Sequence, residues 1–482
     1  MGAATEVARA APLAAAKRRS TTLLHLLQLE NPDGVFVFTL PPPSPEPEAE
    51  TLIDKIGSCC RVFAFSDAGE PASERDAKRE RLSEVLDAVR SSSTSIDTKN
   101  KQQPAPGLDH RVMAALVKML AANLFREMPP PPPSASCPLA DAPAAIDEES
   151  PAVSLLPSWP HLQAVYDILL AMVAGAGDDD ATKSLRHHLD RRFLASLVSL
   201  FASDDPRERD RLKTAYHMLY SKLTPDRAFM RRSMAAALLR FAHHDSSSSS
   251  PAGVGELLEI CGSIINGFAV PLKEEHRGFL LRVLMPLHRT RWLHAYHRQL
   301  VYCVLQFVHK EPALVGAVVQ GILRRWPVTN CQKEVLLIDE LEEIVEVLQQ
   351  DQFDALAVPI CSRIARCATS CSSQVAERAL YVWNNERFLE LACSSSDGGA
   401  TMERILPAFV ASIEDNLERH WSKCVRDVTG SVKALLQQMA PEMYARCAAG
   451  LAASRAEADA DADARADRWR RIEAAAAANA AT

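Results

Sequence analysis

Three short stretches of this 482-residue chain carry side chains that could grip a ligand. His217 and Tyr220 stand three residues apart, about one helical turn, and Arg227 follows a turn marked by Pro225. Ile260 and Ile264 form an i,i+4 pair within GELLEICGSIINGFAVPLKEEH (255–276), and Lys273 and His276 lie one turn apart where that stretch ends. Two facing helices bearing these groups would offer an apolar slot flanked by cations. Such a slot suits a peptide with apolar anchors and a carboxylate downstream of them. The other reading is plain core. Leu257, Ile260, Ile264 and Phe268 make one helical stripe, and Leu258, Cys261 and Ile265 a second beside it. A helix apolar over so much of its circumference belongs inside a layered all-helical protein. Periodicity alone favours core for the two isoleucines and leaves the slot open.

The elements that must position these groups read as helices throughout. Apolar residues make up 47% and aromatics only 6%, and Gly is sparse at 18, which favours long helices over many tight turns. From Ser184 onward, helical segments of about 12–20 residues alternate with short polar breaks. The breaks fall at Ser203–Arg207, His243–Gly253, Pro271–Glu275, Arg289–Leu293, Trp326–Lys333, Gln350–Phe353, Cys371–Gln374 and Ser394–Thr401. Helix pairs recurring at about 40–47 residues are the signature of HEAT or armadillo repeats, and about eight or nine units fit residues 51–450. The expected fold is therefore an all-α, HEAT/armadillo-like helical-repeat solenoid. A solenoid also explains how a chain too long for one compact core can be a single body, since each unit buries its face only against its neighbours. Residues 1–50 end in PPPSPEPEAE and read as a disordered Ala/Pro-rich arm, and 128–157, with the run Pro129–Pro133, as a flexible insertion. Residues 451–482 read as an Ala-rich charged tail, a solvated helix that frays.

Several function classes are excluded or disfavoured. A net charge of −7 argues against broad nucleic-acid affinity, though local basic pockets remain possible. Twelve cysteines without a regular framework read as reduced thiols, and no set of four ligands completes a zinc site. No run of 18 apolar residues marks a membrane span. The basic cluster of MGAATEVARAAPLAAAKRRS follows its apolar part, the reverse of a secretory signal, and Glu6 spoils a myristoylation motif. The expectation is a soluble, cytoplasmic chain, with the nucleus left open. There is no G-x-S-x-G elbow, P-loop, H-E-x-x-H or dinucleotide fingerprint. The acidic run Asp339–Glu343 reads as a charged helix face, and His187-His188 and His243-His244 as solvated. The expected protein is no enzyme and needs no cofactor or metal.

The blocks WPHLQAVYD (159–167), FASDDPRERDRLKTAYHMLYSKL (201–223), GELLEICGSIINGFAVPLKEEH (255–276), YHRQLVYCVLQFV (296–308), KEVLLIDELEEI (333–344) and QVAERALYVWNNERF (374–388) carry a resemblance. In order and wording they resemble the B-prime family of regulatory subunits of protein phosphatase 2A, from about residue 51 to 475. The resemblance implies a HEAT-like solenoid that joins the scaffold and catalytic subunits and chooses substrates through a groove for Leu-x-x-Ile-x-Glu motifs. It implies that Thr214, His217, Tyr220, Arg227, Glu259, Ile260, Ile264, Lys273 and His276 belong to that groove. Tyr220 and His217 would wall the Leu pocket, Ile260 and Ile264 receive the Ile, and Lys273 and His276 take the Glu carboxylate. Glu274 and Glu275, in the PLKEEH turn, would lie toward the catalytic subunit. One position departs: Met218 stands where the family usually has Arg beside the motif's Leu, so a phosphorylated neighbour should add little affinity. The alternative class is a karyopherin-type cargo adaptor, which would show a ladder of Trp and Asn; Trp383-Asn384-Asn385 is the one such cluster.

Overall fold

The computed structural model describes residues 49–63, 65, 70–94, 109–126, 156–177, 179–243, 250–394 and 400–480. The expected arm up to residue 48, the Pro129–Pro133 run with most of the 128–157 insertion, and the serine run up to Ser249 lie outside them. The first half of the described chain forms α1 (Ala49–Ser58), α2 (Ala72–Thr94), α3 (His110–Leu124), α4 (Trp159–Gly175), α5 (Asp179–His188), α6 (Arg191–Ser199), α7 (Pro206–Lys222), α8 (Arg227–His243) and α9 (Val254–Asn266). Next, α10 (Glu274–Phe279) runs through a π-helical turn at Leu280–Leu284 into α11 (Met285–Leu287), and α12 (Leu293–Lys310) and α13 (Val315–Leu323) follow. The rest comprises α14 (Cys331–Val347), α15 (Gln350–Ala368), α16 (Ser373–Leu380), α17 (Glu386–Cys393), α18 (Ala400–Arg419), α19 (Lys423–Met439) and α20 (Pro441–Ala480). No strand occurs among the described residues, and no helix there is long and apolar enough to cross a membrane.

The packing order is that of a helical-repeat solenoid. One row runs α2, α4, α7, α9, α12, α14, α16, α19, each helix touching the next in that series. A second row runs through α6, α8, the π turn and α11, α13, α15, α18 and α20. Each helix thus meets mainly its counterpart in the neighbouring repeat, which is how a solenoid buries one continuous core. Side-chain bonds between repeats carry the same period. Lys222 Nζ donates to Ala176 O, 46 residues away, at 2.9 Å, and Ser412 Oγ donates to Ala365 O, 47 residues away, at 2.8 Å.

Local sequence explains where helices begin. Asp190, Asn330, Asn385 and Ser422 each accept a hydrogen bond from a backbone N–H three residues on, satisfying one of the donors a helix start leaves free. The π turn is coupled to Pro286: Met285 N–H bonds Leu280 O, five residues back, just before a residue with no N–H to give.

Several sequence expectations change. The break expected at Gln350–Phe353 is already helix, because α15 starts at Gln350; the chain turns at Leu348-Gln349, where Gln352 Oε1 accepts the Gln349 N–H at 3.1 Å. The tail has no boundary at residue 451: α20 passes through it and is almost wholly exposed beyond. The run Asp339–Glu343 is a charged face only in part, with Glu343 exposed. Glu340 is 0% exposed and bridges His288 Nε2 at 2.9 Å and His297 Nε2 at 3.1 Å, while Asp339 and Glu342 pair with Arg378. A carboxylate turned inward between packed helices must be matched, and the other buried one on α14, Glu334, takes Trp326 Nε1 at 2.7 Å. His288 Nδ1 also faces Met285 O at 3.1 Å, so both of its nitrogens meet acceptors and the ring is held as the cation. His187 is exposed, as expected, but His188 is half-buried, and its ring meets His187 edge-on and His110 at a tilt. Trp383, the aromatic of the supposed ladder, is fully buried against Phe388 and Phe409.

Candidate functional site

Two helices of the first row, α7 and α9, frame the site. Asp205 caps α7, accepting from Arg207 N at 2.9 Å, and Pro206 opens it at the position where proline costs nothing. The entry to α9 turns on Gly253, whose φ of +77° is the left-handed region; a Cβ there would sit 2.0 Å from Phe201 O. Gly262, deeper in α9, lets that helix press against α12, since a Cβ would lie 2.8 Å from the Tyr302 ring.

Three polar rungs join α7 to α9. Arg209 Nε donates to Glu256 Oε1 at 2.6 Å, Lys213 Nζ to Glu259 Oε2 at 2.9 Å, and His217 Nε2 shares a hydrogen bond with Ser263 Oγ at 3.0 Å. The spacing is that of one face on each helix, so the rungs repeat by geometry. Glu259 also takes Gln299 Nε2 of α12 at 3.4 Å. Burial lowers the pKa of His217, which keeps its ring neutral.

Beyond the rungs lies a chain of contacts between the end of α7, the start of α8 and the start of α10. Arg227 donates to Tyr220 O and Ser221 O, both at 2.8 Å, and its guanidinium lies 5.3 Å from the centre of the Tyr220 ring. It thereby caps the carbonyls at the end of α7 and fixes Tyr220. Arg231 Nη1 donates to Tyr220 Oη at 3.1 Å and its Nη2 to Glu275 Oε1 at 3.1 Å. The same Glu275 oxygen lies 3.3 Å from His276 Nε2, and the His276 ring stacks flat on Phe268 with centres 3.7 Å apart. Burial lowers the His276 pKa against the pull of Glu275, and the charges of Arg231 and Lys273 lower it further.

Beside this chain opens a cavity of about 440 Å³. Its apolar lining includes Met234, Leu239, Ile264, Ile265, Phe279 and Val283, and Arg231, Arg232, Arg282, Glu274, Glu275 and His276 also line it. An apolar hollow with cations converging on it is what a mixed apolar and anionic ligand needs.

Of the residues expected at the site, Ile264, Glu274, Glu275 and His276 meet at the cavity, and Tyr220 and Arg227 reach it through Arg231. Thr214, His217, Met218, Glu259, Ile260 and Lys273 are not part of its wall. Thr214 Oγ1 turns back to Asp210 O at 3.1 Å, and Met218 is half-buried against the core. Ile260 is 2% exposed and Ile264 7%, so each offers only an edge. Lys273 is exposed at the start of α10, with no ion pair among the described residues. The contact that sequence reasoning missed is Arg231. Its signal was present, for it follows Arg227 by four residues on a helix that carries no Asp or Glu. Among the described residues no three His, Cys, Asp or Glu side chains are grouped to hold a metal.

Comparison with known proteins finds matches over most of the chain. The family described as "Protein phosphatase 2A regulatory B subunit (B56 family)" matches residues 38–476. The chain is 39% identical over 421 residues to the B' alpha isoform of the serine/threonine protein phosphatase 2A 57 kDa regulatory subunit of Arabidopsis thaliana, covering 87% of this chain and 79% of that one. It is 38% identical over 431 residues to the B' beta isoform of the same plant, covering 89% and 81%. It is 37% identical over 424 residues to the B' kappa isoform of Oryza sativa subsp. japonica, covering 88% and 78%.

Proposed function

This chain belongs to the B56 family of protein phosphatase 2A regulatory B subunits, and from that premise we propose that it binds the scaffold and catalytic subunits and recruits substrates through Leu-x-x-Ile-x-Glu motifs. It is a regulatory subunit and not itself the phosphatase. The observation that supports the groove is the contact chain Tyr220–Arg231–Glu275–His276 at the mouth of an apolar cavity. In this reading Tyr220 and His217 flank the Leu, the edges of Ile260 and Ile264 meet the Ile, and Lys273, His276 and Arg231 receive the motif's carboxylate. A short peptide of this kind gains affinity from few anchors, so apolar contact and one charge-assisted bond must supply most of it.

Glu274, with its side chain 87% exposed, is free to face the catalytic subunit, whereas Glu275 is turned toward Arg231. Met218 offers packing but no cation to a phosphate next to the Leu. The cytoplasm, and the nucleus with it, is where we expect such a subunit to work. The test is assembly from purified scaffold, catalytic and regulatory subunits, followed by capture of a protein bearing the motif. Capture that a free Leu-x-x-Ile-x-Glu peptide abolishes supports the reading, and capture indifferent to excess peptide rejects it.

A further inference from the structure

The donors that would receive a ligand's acid already hold one. Glu275 Oε1 takes Arg231 Nη2 at 3.1 Å and lies 3.3 Å from His276 Nε2. Glu275 lines the same cavity as both of these groups. Its side chain is 56% exposed, and only that one oxygen has a partner among the described residues, whereas the Arg231 side chain is 26% exposed and His276 is buried. The two donors are therefore fixed and the acceptor is the movable member. Arg231 stays oriented when Glu275 leaves, because its other nitrogen is bonded to Tyr220 Oη and that ring is held by Arg227.

We propose that Glu275 is a built-in occupant of the acid subsite, a carboxylate that the ligand's own carboxylate must displace. The inference rests on the peptide-groove reading and adds a regulation to it. A partly exposed ion pair is weakly held, so displacement is easy for a ligand whose apolar anchors are already seated and hard for a bare anion. The subsite thereby rejects ligands that bring charge without the anchors. At Arg231 and His276 one carboxylate replaces another, so the salt response of binding should come mainly from the new contact of Lys273.

The test is fluorescence titration of a Leu-x-x-Ile-x-Glu peptide, and of its Gln-ended counterpart, against the full chain, Glu275→Gln and Glu274→Gln. The second variant removes the same charge one residue away, from a carboxylate 3.6 Å from Arg277. Glu275→Gln should tighten the Glu peptide about two- to five-fold, the range of one partly exposed ion pair. It should leave the Gln peptide unchanged and make binding of the Glu peptide more salt-sensitive. Glu274→Gln should give a smaller gain with no new salt response. Equal gains from the two variants, or none from Glu275→Gln while the unaltered chain binds, would overturn the displacement and leave the groove standing. Loss of binding in all three proteins would overturn both.

Discussion

Deleting the carboxylate of Glu340 should loosen the middle of the solenoid, by an amount that depends on pH. Glu340, on α14, is enclosed completely and is shared by His288 after α11 and His297 on α12, so three consecutive units meet on one side chain. Burial pushes the Glu340 carboxyl up, but the two imidazoles overcome it and hold the group down at about 2. For His288, burial opposes the charge, yet the charge and hydrogen bond of Glu340 prevail and raise its pKa above the ordinary 6.5. The signs follow from linkage. The Glu340 contribution is present above its unfolded value of 4.5 and is lost as pH falls toward 2. The His288 contribution is complete below 6.5 and is lost as pH rises through the elevated folded value. Both are therefore whole between 4.5 and 6.5. Removing one partner of a buried pair costs about 3–5 kcal/mol, which shifts local opening on the order of a hundred-fold or more. Hydrogen exchange of the α12 and α14 amides at pH 5.5 and 8.5 reads this directly. At the lower pH Glu340→Ala should lose about a hundred-fold in protection, and the advantage of the unaltered chain over Glu340→Gln should shrink at the higher. His161, His217, His276 and His294, whose pKa values burial lowers, act in the opposite sense but are common to all three proteins. Equal protection of the unaltered chain and Glu340→Gln at both pH values would refute the ion-pair account.

Three further outcomes are expected. Lys273→Glu should cost stability no more than about 0.5 kcal/mol, as exposed substitutions do, yet abolish binding of the motif peptide in the same titration. Met218→Arg should make affinity respond to phosphorylation beside the motif's Leu by roughly ten-fold or more, the effect of a charge-assisted hydrogen bond worth about 1.5–3 kcal/mol; paired phosphorylated and plain peptides measure it. Gly253→Ala should lower the thermal midpoint, because a positive φ costs about 1–2 kcal/mol and a methyl group there also meets Phe201 O; calorimetry checks this.

Repetition made the fold legible. Apolar steps of three and four, broken by polar turns, name helices and their order without any need to know which partner each one meets. What they leave out is direction. Glu340 and its acidic neighbours look alike in a string, yet one points between helices and two point at Arg378. The turn at Leu348-Gln349 lies ahead of its expected place because glutamine is not a usual cap residue. At the site, the types of Tyr220, Arg227, Ile264 and His276 were informative, since a cation next to an apolar helix end is seldom idle. Pattern favours core for Ile260, which is almost sealed, but does not show that Glu275 would reach back to Arg231 across 44 residues. Such pairings depend on how one repeat stacks on the next, which spacing within a repeat does not encode.

The three rungs between α7 and α9 set a gauge for whatever lies along them. Because Arg209, Lys213 and His217 are each bonded across the seam, sliding or parting the walls to suit a guest would break these bonds. In the proposed groove the pitch between the places for an aliphatic side chain and for an acid would thus be a property of the track, and a guest would have to match it. A segment with one residue too many between those points would have to buckle. Selectivity of this sort lies in a measured interval, and substitutions far from the cavity that break a rung would blur it.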